Sequence, residues 1–168
     1  MSCLWSVFTK PWAGLPGAEL GALVAGIGFA GAEIPVRDTA YVTPANAQRE
    51  LPKFSSQLRT EGVEPISVAS DLSEPVFAAC AEAGVPMIRI MAELGPDGYA
   101  ASVRRNRELL EQAVELTERY DVQSACSRIT GGTCRRRSAY CNCSTGYRTT
   151  SSWCGTPRMT RWPVITRR

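Results

Sequence analysis

Histidine is absent from all 168 residues, so no imidazole can ligate a metal in this chain. No Gly-x-Gly-x-x-Gly follows the first predicted strand, and no phosphate loop with Gly-Lys-Ser/Thr occurs. Both nucleotide readings lose their best support. The apolar run Leu20 to Ala32 is too short to span a bilayer. It also makes a poor secretory leader, because Glu19 stands where a basic flank belongs. A cytoplasmic setting without a membrane partner is expected. Residues 123–168 lack Asp, Glu, Lys and Leu altogether, yet hold nine of the 19 bases and five of the seven cysteines. Residues 1–122 carry all 16 acids against ten bases, a net of −6, and residues 123–168 carry +9. The mild overall charge of +3 therefore conceals two unlike pieces, divided near Val122.

The first piece is rich in one recurring junction. A helix-forming stretch stops at a glycine and an apolar β run follows, at Gly28 (GFAGAEIPVR), Gly62 (GVEPISVASD) and Gly84 (GVPMIRIMAEL). Glycine enters the left-handed region freely and is the usual helix stop. Three such junctions imply stacked βα units and a parallel sheet. The predicted strands are Leu4 to Phe8, Ala32 to Arg37, Glu64 to Ser70 and Met87 to Met91. Helices are expected over Ala18 to Ile27, from Thr43-Pro44 toward Gly62, from Ser73 onward, and over Tyr99 to Tyr120. Pro52 should bend the second or mark a late start. In the third, Phe77, Cys80 and Ala81 should face the sheet. In the fourth, Leu109, Ala113, Leu116 and Tyr120 share one face. About thirty residues per unit suits a doubly wound sheet or half of an eight-fold βα barrel.

In a barrel, chemistry collects on the loops after the strands. Lys10, Trp12, Arg37, Asp71 and Glu93 stand there, while Glu33 and Arg89 lie within strands. A charge inside a strand needs a partner or a ligand. Glu33 and Arg89 either pair with each other, point outward, or meet a substrate.

The run SVFTKPW…LGALVAGIGFAGAEIPVR…ISVASDLSEPVFAACAEAGVPMIRIM resembles the amino-terminal half of the sugar phosphate isomerase/epimerase family, the xylose isomerase-like barrels. The resemblance covers Leu4 to about Val122. It implies an α/β fold, an incomplete (β/α)8 TIM barrel of about four βα units, over residues 1–122. It also implies proton transfer on a sugar or sugar phosphate, assisted by a divalent metal (Mn, Mg, Zn or Co) in the intact family. The substrate-binding candidates are Lys10, Glu33, Arg37, Asp71, Arg89 and Glu93. In the family the metal ligands are Glu, Asp and His from the later strands. A chain without histidine is expected to bind no metal and to lack a complete catalytic set. Four units alone would expose an apolar inner face and leave the fourth strand unpaired, which favours self-association at the sheet edge.

Residues 123–168 show no convincing periodicity and are expected to be irregular or disordered. Cys134, Cys141, Cys143 and Cys154 offer only one close pair, Cys-x-Cys, which is poor zinc spacing. Nine arginines with Tyr140, Tyr147, Trp153 and Trp162 offer a nucleic-acid tail, without any RNA-binding signature. Disulfides conflict with a cytoplasmic setting. The genetic code supports a further reading, a shifted frame. If the third base of each codon joins the first two of the next, Trp153-Cys154 must give Val, Met159-Thr160 must give Asp and Trp162-Pro163 must give Ala. The ambiguous codons between them permit V-W-D-A-A-H-D-A-L-A-G, which resembles a late-strand motif of the same family. The remaining frame meets a stop at Met159-Thr160.

Overall fold

The computed structural model describes residues 4–92 and 95–127. Five strands form one sheet: β1 (Ser6–Phe8), β2 (Gly31–Pro35), β3 (Glu64–Ala69), β4 (Met87–Met91) and β5 (Gln123–Ser127). All neighbours are parallel, and the order across the sheet is the order along the chain. A doubly wound sheet reverses its strand order partway, whereas a barrel steps round in one direction. The barrel alternative is the one observed. The described residues form an α/β segment of a barrel with five strands.

The helices are α1 (Gly17–Gly26), α2 (Ala47–Thr60), α3 (Glu74–Ala83), α4 (Tyr99–Gln112) and α5 (Val114–Tyr120). Gly28, Gly62 and Gly84 have φ of 90°, 77° and 64°, so each junction uses the left-handed region that glycine tolerates. Asp121, with φ 52°, does the same between α5 and β5. The sheet thus continues beyond the change in composition near Val122, and β4 is paired along its length by β5 rather than left as an edge.

One face of the sheet carries Ala32, Ile34, Val68 and Ile88, buried against Leu20 and Val24 of α1, Leu51, Phe54 and Leu58 of α2, and Phe77 and Cys80 of α3. Pleating sends alternate residues to the opposite face. That face holds Phe8, Glu33, Ser67, Ala69, Arg89, Ala125 and Ser127. Register places Glu33 beside Phe8 and Ser67, and Arg89 beside Ala69 and Ala125. The inner face is therefore mixed, with Phe8, Ala69 and Ala125 beside Glu33, Ser67, Arg89 and Ser127, rather than purely apolar.

Several local expectations shift. Thr43 and Asn46 bond to each other, Thr43 N to Asn46 Oδ1 at 2.7 Å and Asn46 N to Thr43 Oγ1 at 3.3 Å. They make a turn ahead of α2, which starts at Ala47 and runs through Pro52 to Thr60. In α3, Phe77 and Cys80 are buried as expected, but Ala81 is exposed and Ala83 is buried instead. The long helix divides at Ala113, whose ψ of −6° flattens the ladder there. Leu109 is exposed, while Leu116 and Tyr120 pack on the core. Tyr120 stacks on Phe77 with centroids 6.4 Å apart and donates to Glu74 Oε1 at 3.0 Å. That bond to the carboxylate holds the Tyr120 hydroxyl above its ordinary pKa.

Candidate functional site

The carboxyl ends of β1 and β2 carry two short loops. After β1, Thr9 is fully buried, and both its N–H and its Oγ1 donate to the Glu33 carbonyl, at 3.1 and 2.8 Å. A 3-10 turn, Lys10–Trp12, follows. After β2, Arg37 N donates to Val42 O at 3.2 Å and Ala40 N to Arg37 O at 2.9 Å, which folds the second loop back on itself. Tyr41 N donates to Ala13 O at 2.7 Å and joins the two loops. Between them lies a cavity of about 470 Å³, lined by Lys10, Pro11, Ala13, Gly14, Pro35, Arg37, Thr39 and Ala40. Lys10 and Arg37 are the only charged residues on its wall. Trp12 packs on the core instead.

Glu33 and Arg89 sit deeper, on the inner face, and hold each other. Arg89 Nε donates to Glu33 Oε1, and Nη1 donates to Ser127 Oγ at 2.9 Å. The guanidinium carbon lies 4.8 Å from the Phe8 ring centroid, a cation–π contact. The side chains are 6% and 10% exposed for Arg89 and Glu33. One arginine thereby links residues from β1, β2 and β5 to β4. This is the pairing arm of the sequence reading, and it takes both charges away from a ligand.

The other candidates separate. Asp71 Oδ1 accepts from Ser73 N at 3.0 Å and Ser73 Oγ at 2.6 Å, so it shapes the turn into α3. Ser70, one residue earlier, has a buried hydroxyl with no partner among the described residues. Glu93 lies outside the described residues, as do Cys134, Cys141, Cys143, Cys154 and the other predicted tail features. Thr9, Phe8, Ser127 and Met91 were not singled out from sequence. Nothing marks them there except their places at strand ends.

A divalent metal needs several free oxygen, nitrogen or sulfur donors in one place. Among the described residues no three His, Cys, Asp or Glu side chains converge. Glu33 is engaged by Arg89 and Asp71 by Ser73, so these two carboxylates do not fit a metal cage. No helix among the described residues is long and apolar enough to cross a membrane.

No protein-family model matches the sequence, and no curated protein does. Solved structures match by fold. A xylose isomerase-like TIM barrel/4-hydroxyphenylpyruvate dioxygenase fusion protein aligns at TM-score 0.56 and 16% identity, over 85% of this chain and 25% of that one. A sugar phosphate isomerase/epimerase from Parabacteroides distasonis aligns at TM-score 0.52 and 12% identity, over 76% of this chain and 52% of that one. The IolI protein with a bound zinc atom aligns at TM-score 0.58 and 12% identity, again over 76% and 52%. The chain spans about half the length of the latter two and a quarter of the fusion protein. Strand order, helix placement and these likenesses agree: the fold is that of part of a (β/α)8 TIM barrel.

Proposed function

We propose that this chain is a relative of the metal-dependent sugar phosphate isomerases and epimerases, that its residues form one wall of a sugar site, and that it does not itself turn over. The observation that carries the reading is a basic cavity at the carboxyl ends of β1 and β2, where barrels bind their ligands. The chemistry moves a proton between adjacent carbons of a sugar, or returns it to the opposite face of one carbon. It needs a free carboxylate base and a counter-charge for the enediolate. Glu33 is not a free base, because Arg89 and the surrounding burial hold it as half of an ion pair. Lys10 and Arg37 remain to contact substrate. Assays on aldose and ketose phosphates with added manganese should show no turnover. Activity that copurifies with the chain would overturn the reading.

The missing ligands have a source in the shifted frame, which permits Asp and His in V-W-D-A-A-H-D. The pairing of β5 with β4 supports a frame change after Ser127 over one at Val122. The nucleotide sequence of codons 128–164 tests this: codons that spell another run in the shifted frame reject it. A second reading is a non-enzymatic protein whose tail binds nucleic acid or zinc. It rests on the +9 charge and five cysteines of residues 123–168. Salt-dependent retention on DNA, or one equivalent of zinc, would favour it.

A further inference from the structure

We infer that the cavity between Lys10 and Arg37 is an anion subsite, taking the phosphate or carboxylate of a monosaccharide-sized ligand. Its volume of about 470 Å³ lies within the range of small-molecule sites and leaves room for a sugar beside the anion. Two cations face it, and no acid lines it. Arg49, Arg59, Arg89, Arg105, Arg107 and Arg119 each hold a carboxylate. Lys10 and Arg37 have no carboxylate partner among the described residues. Arg37 Nη2 instead donates to the Met91 sulfur at 3.6 Å, a weak acceptor that leaves the charge uncompensated while fixing the side chain toward β4.

The site is also built in advance. Thr9 ties the first loop to β2, and the Tyr41-to-Ala13 bond ties the second loop to the first. Both backbone walls are held before any ligand arrives, which lowers the entropy lost on binding. A guanidinium presents paired N–H donors to two oxygens of a phosphate or carboxylate, and the lysine adds a point charge. Arg89 cannot serve this role, since its charge is matched by Glu33. The inference rests on the reading above for the sugar-sized ligand, but anion contact requires neither metal nor turnover.

The test is a titration of the full chain by NMR, with inorganic phosphate or acetate at constant ionic strength. Amides of Ala13, Gly14, Thr39 and Ala40 report on the cavity separately from the arginine-rich tail. Saturable shifts at these amides are expected. Lys10→Met and Arg37→Met should each weaken them about tenfold, the change expected from losing one charge-assisted hydrogen bond. Lys53→Met, an exposed lysine of α2, should leave them unchanged. If Arg37→Met fails to fold, Arg37→Lys, which keeps charge but loses the fork, should fall between wild type and Lys10→Met. Saturation by phosphate alone assigns a phosphorylated ligand, and saturation by acetate too extends the site to carboxylates. Shifts that never saturate, or that Lys53→Met weakens equally, overturn the proposal. Saturation without turnover leaves both readings standing. Turnover with KM unchanged in Lys10→Met and Arg37→Met would sink the subsite along with the claim of inactivity, but not the sugar chemistry.

Discussion

The two faces of the sheet hold the same strands together by different means. Toward the helices, Ala32, Ile34, Val68 and Ile88 meet Leu20, Leu58 and Phe77 in one apolar cluster. Toward the inside, Arg89 bridges β4 to Glu33 of β2 and Ser127 of β5 with Phe8 alongside. Apolar burial is divided over many contacts, so removing one group takes away only its share. A buried ion pair is concentrated in two groups, and each is costly without the other. Charges placed within strands thus report burial and pairing before they report function.

The sharpest way to break this contrast is Arg89→Met, which leaves the Glu33 carboxylate buried and unmatched. We expect a loss of about 3–5 kcal/mol in chemical unfolding. Replacing both partners, Glu33→Leu with Arg89→Met, should recover most of that loss, because the uncompensated charge goes too. On the other face, Leu58→Ala should cost about 2–5 kcal/mol by transfer and cavity terms, with no second-site change of charge able to rescue it. If the double variant were as unstable as Arg89→Met alone, the inner face would be held by packing of the two side chains rather than by their charges.

A smaller effect separates the faces by pH. Burial against the helix-side core pushes the Cys80 thiol up to about 12 from 9.0. The folded chain keeps that proton while the unfolded chain loses it. This contribution to stability is full below pH 9 and is lost as pH rises toward about 12. Unfolding midpoints should fall over that window less steeply in Cys80→Ala than in the wild type. At pH 8, peptide mapping after treatment with iodoacetamide should find Cys80 unmodified in the folded chain and modified in denaturant. Equal labelling in both would mean that α3 does not seal the core.

How much of this was legible follows from where the signals are local. Gly28, Gly62 and Gly84 announce their junctions because a positive φ favours glycine, and the strands after them appear as read. The fourth junction uses Asp121 at φ 52°, so β5 gave no such mark and fell in the stretch where composition changes. The need of Glu33 and Arg89 for partners was visible in the sequence. That they satisfy each other was not decidable there, because 56 residues and an intervening strand separate them. Lys10 and Arg37 were placed correctly on loops after strands. Their shared cavity depends on Tyr41 reaching Ala13, a backbone bond that no side-chain pattern encodes.

Asp71 gives the smallest effect and the finest distinction. It stands at the carboxyl end of β3, among residues that a barrel commonly gives to its ligand, yet its carboxylate is spent on the turn into α3. Asp71→Asn keeps an oxygen acceptor and removes the charge, so unfolding should shift by less than about 0.5 kcal/mol. Asp71→Ala removes the acceptor for Ser73 N and Oγ and should cost about 1 kcal/mol, as loss of a helix cap does. Neither should alter the phosphate response of the Lys10–Arg37 cavity, whose wall does not include Asp71. A stronger phosphate response in Asp71→Asn would mean that this carboxylate repels the anion, and would extend the site from the first two strand ends to the third.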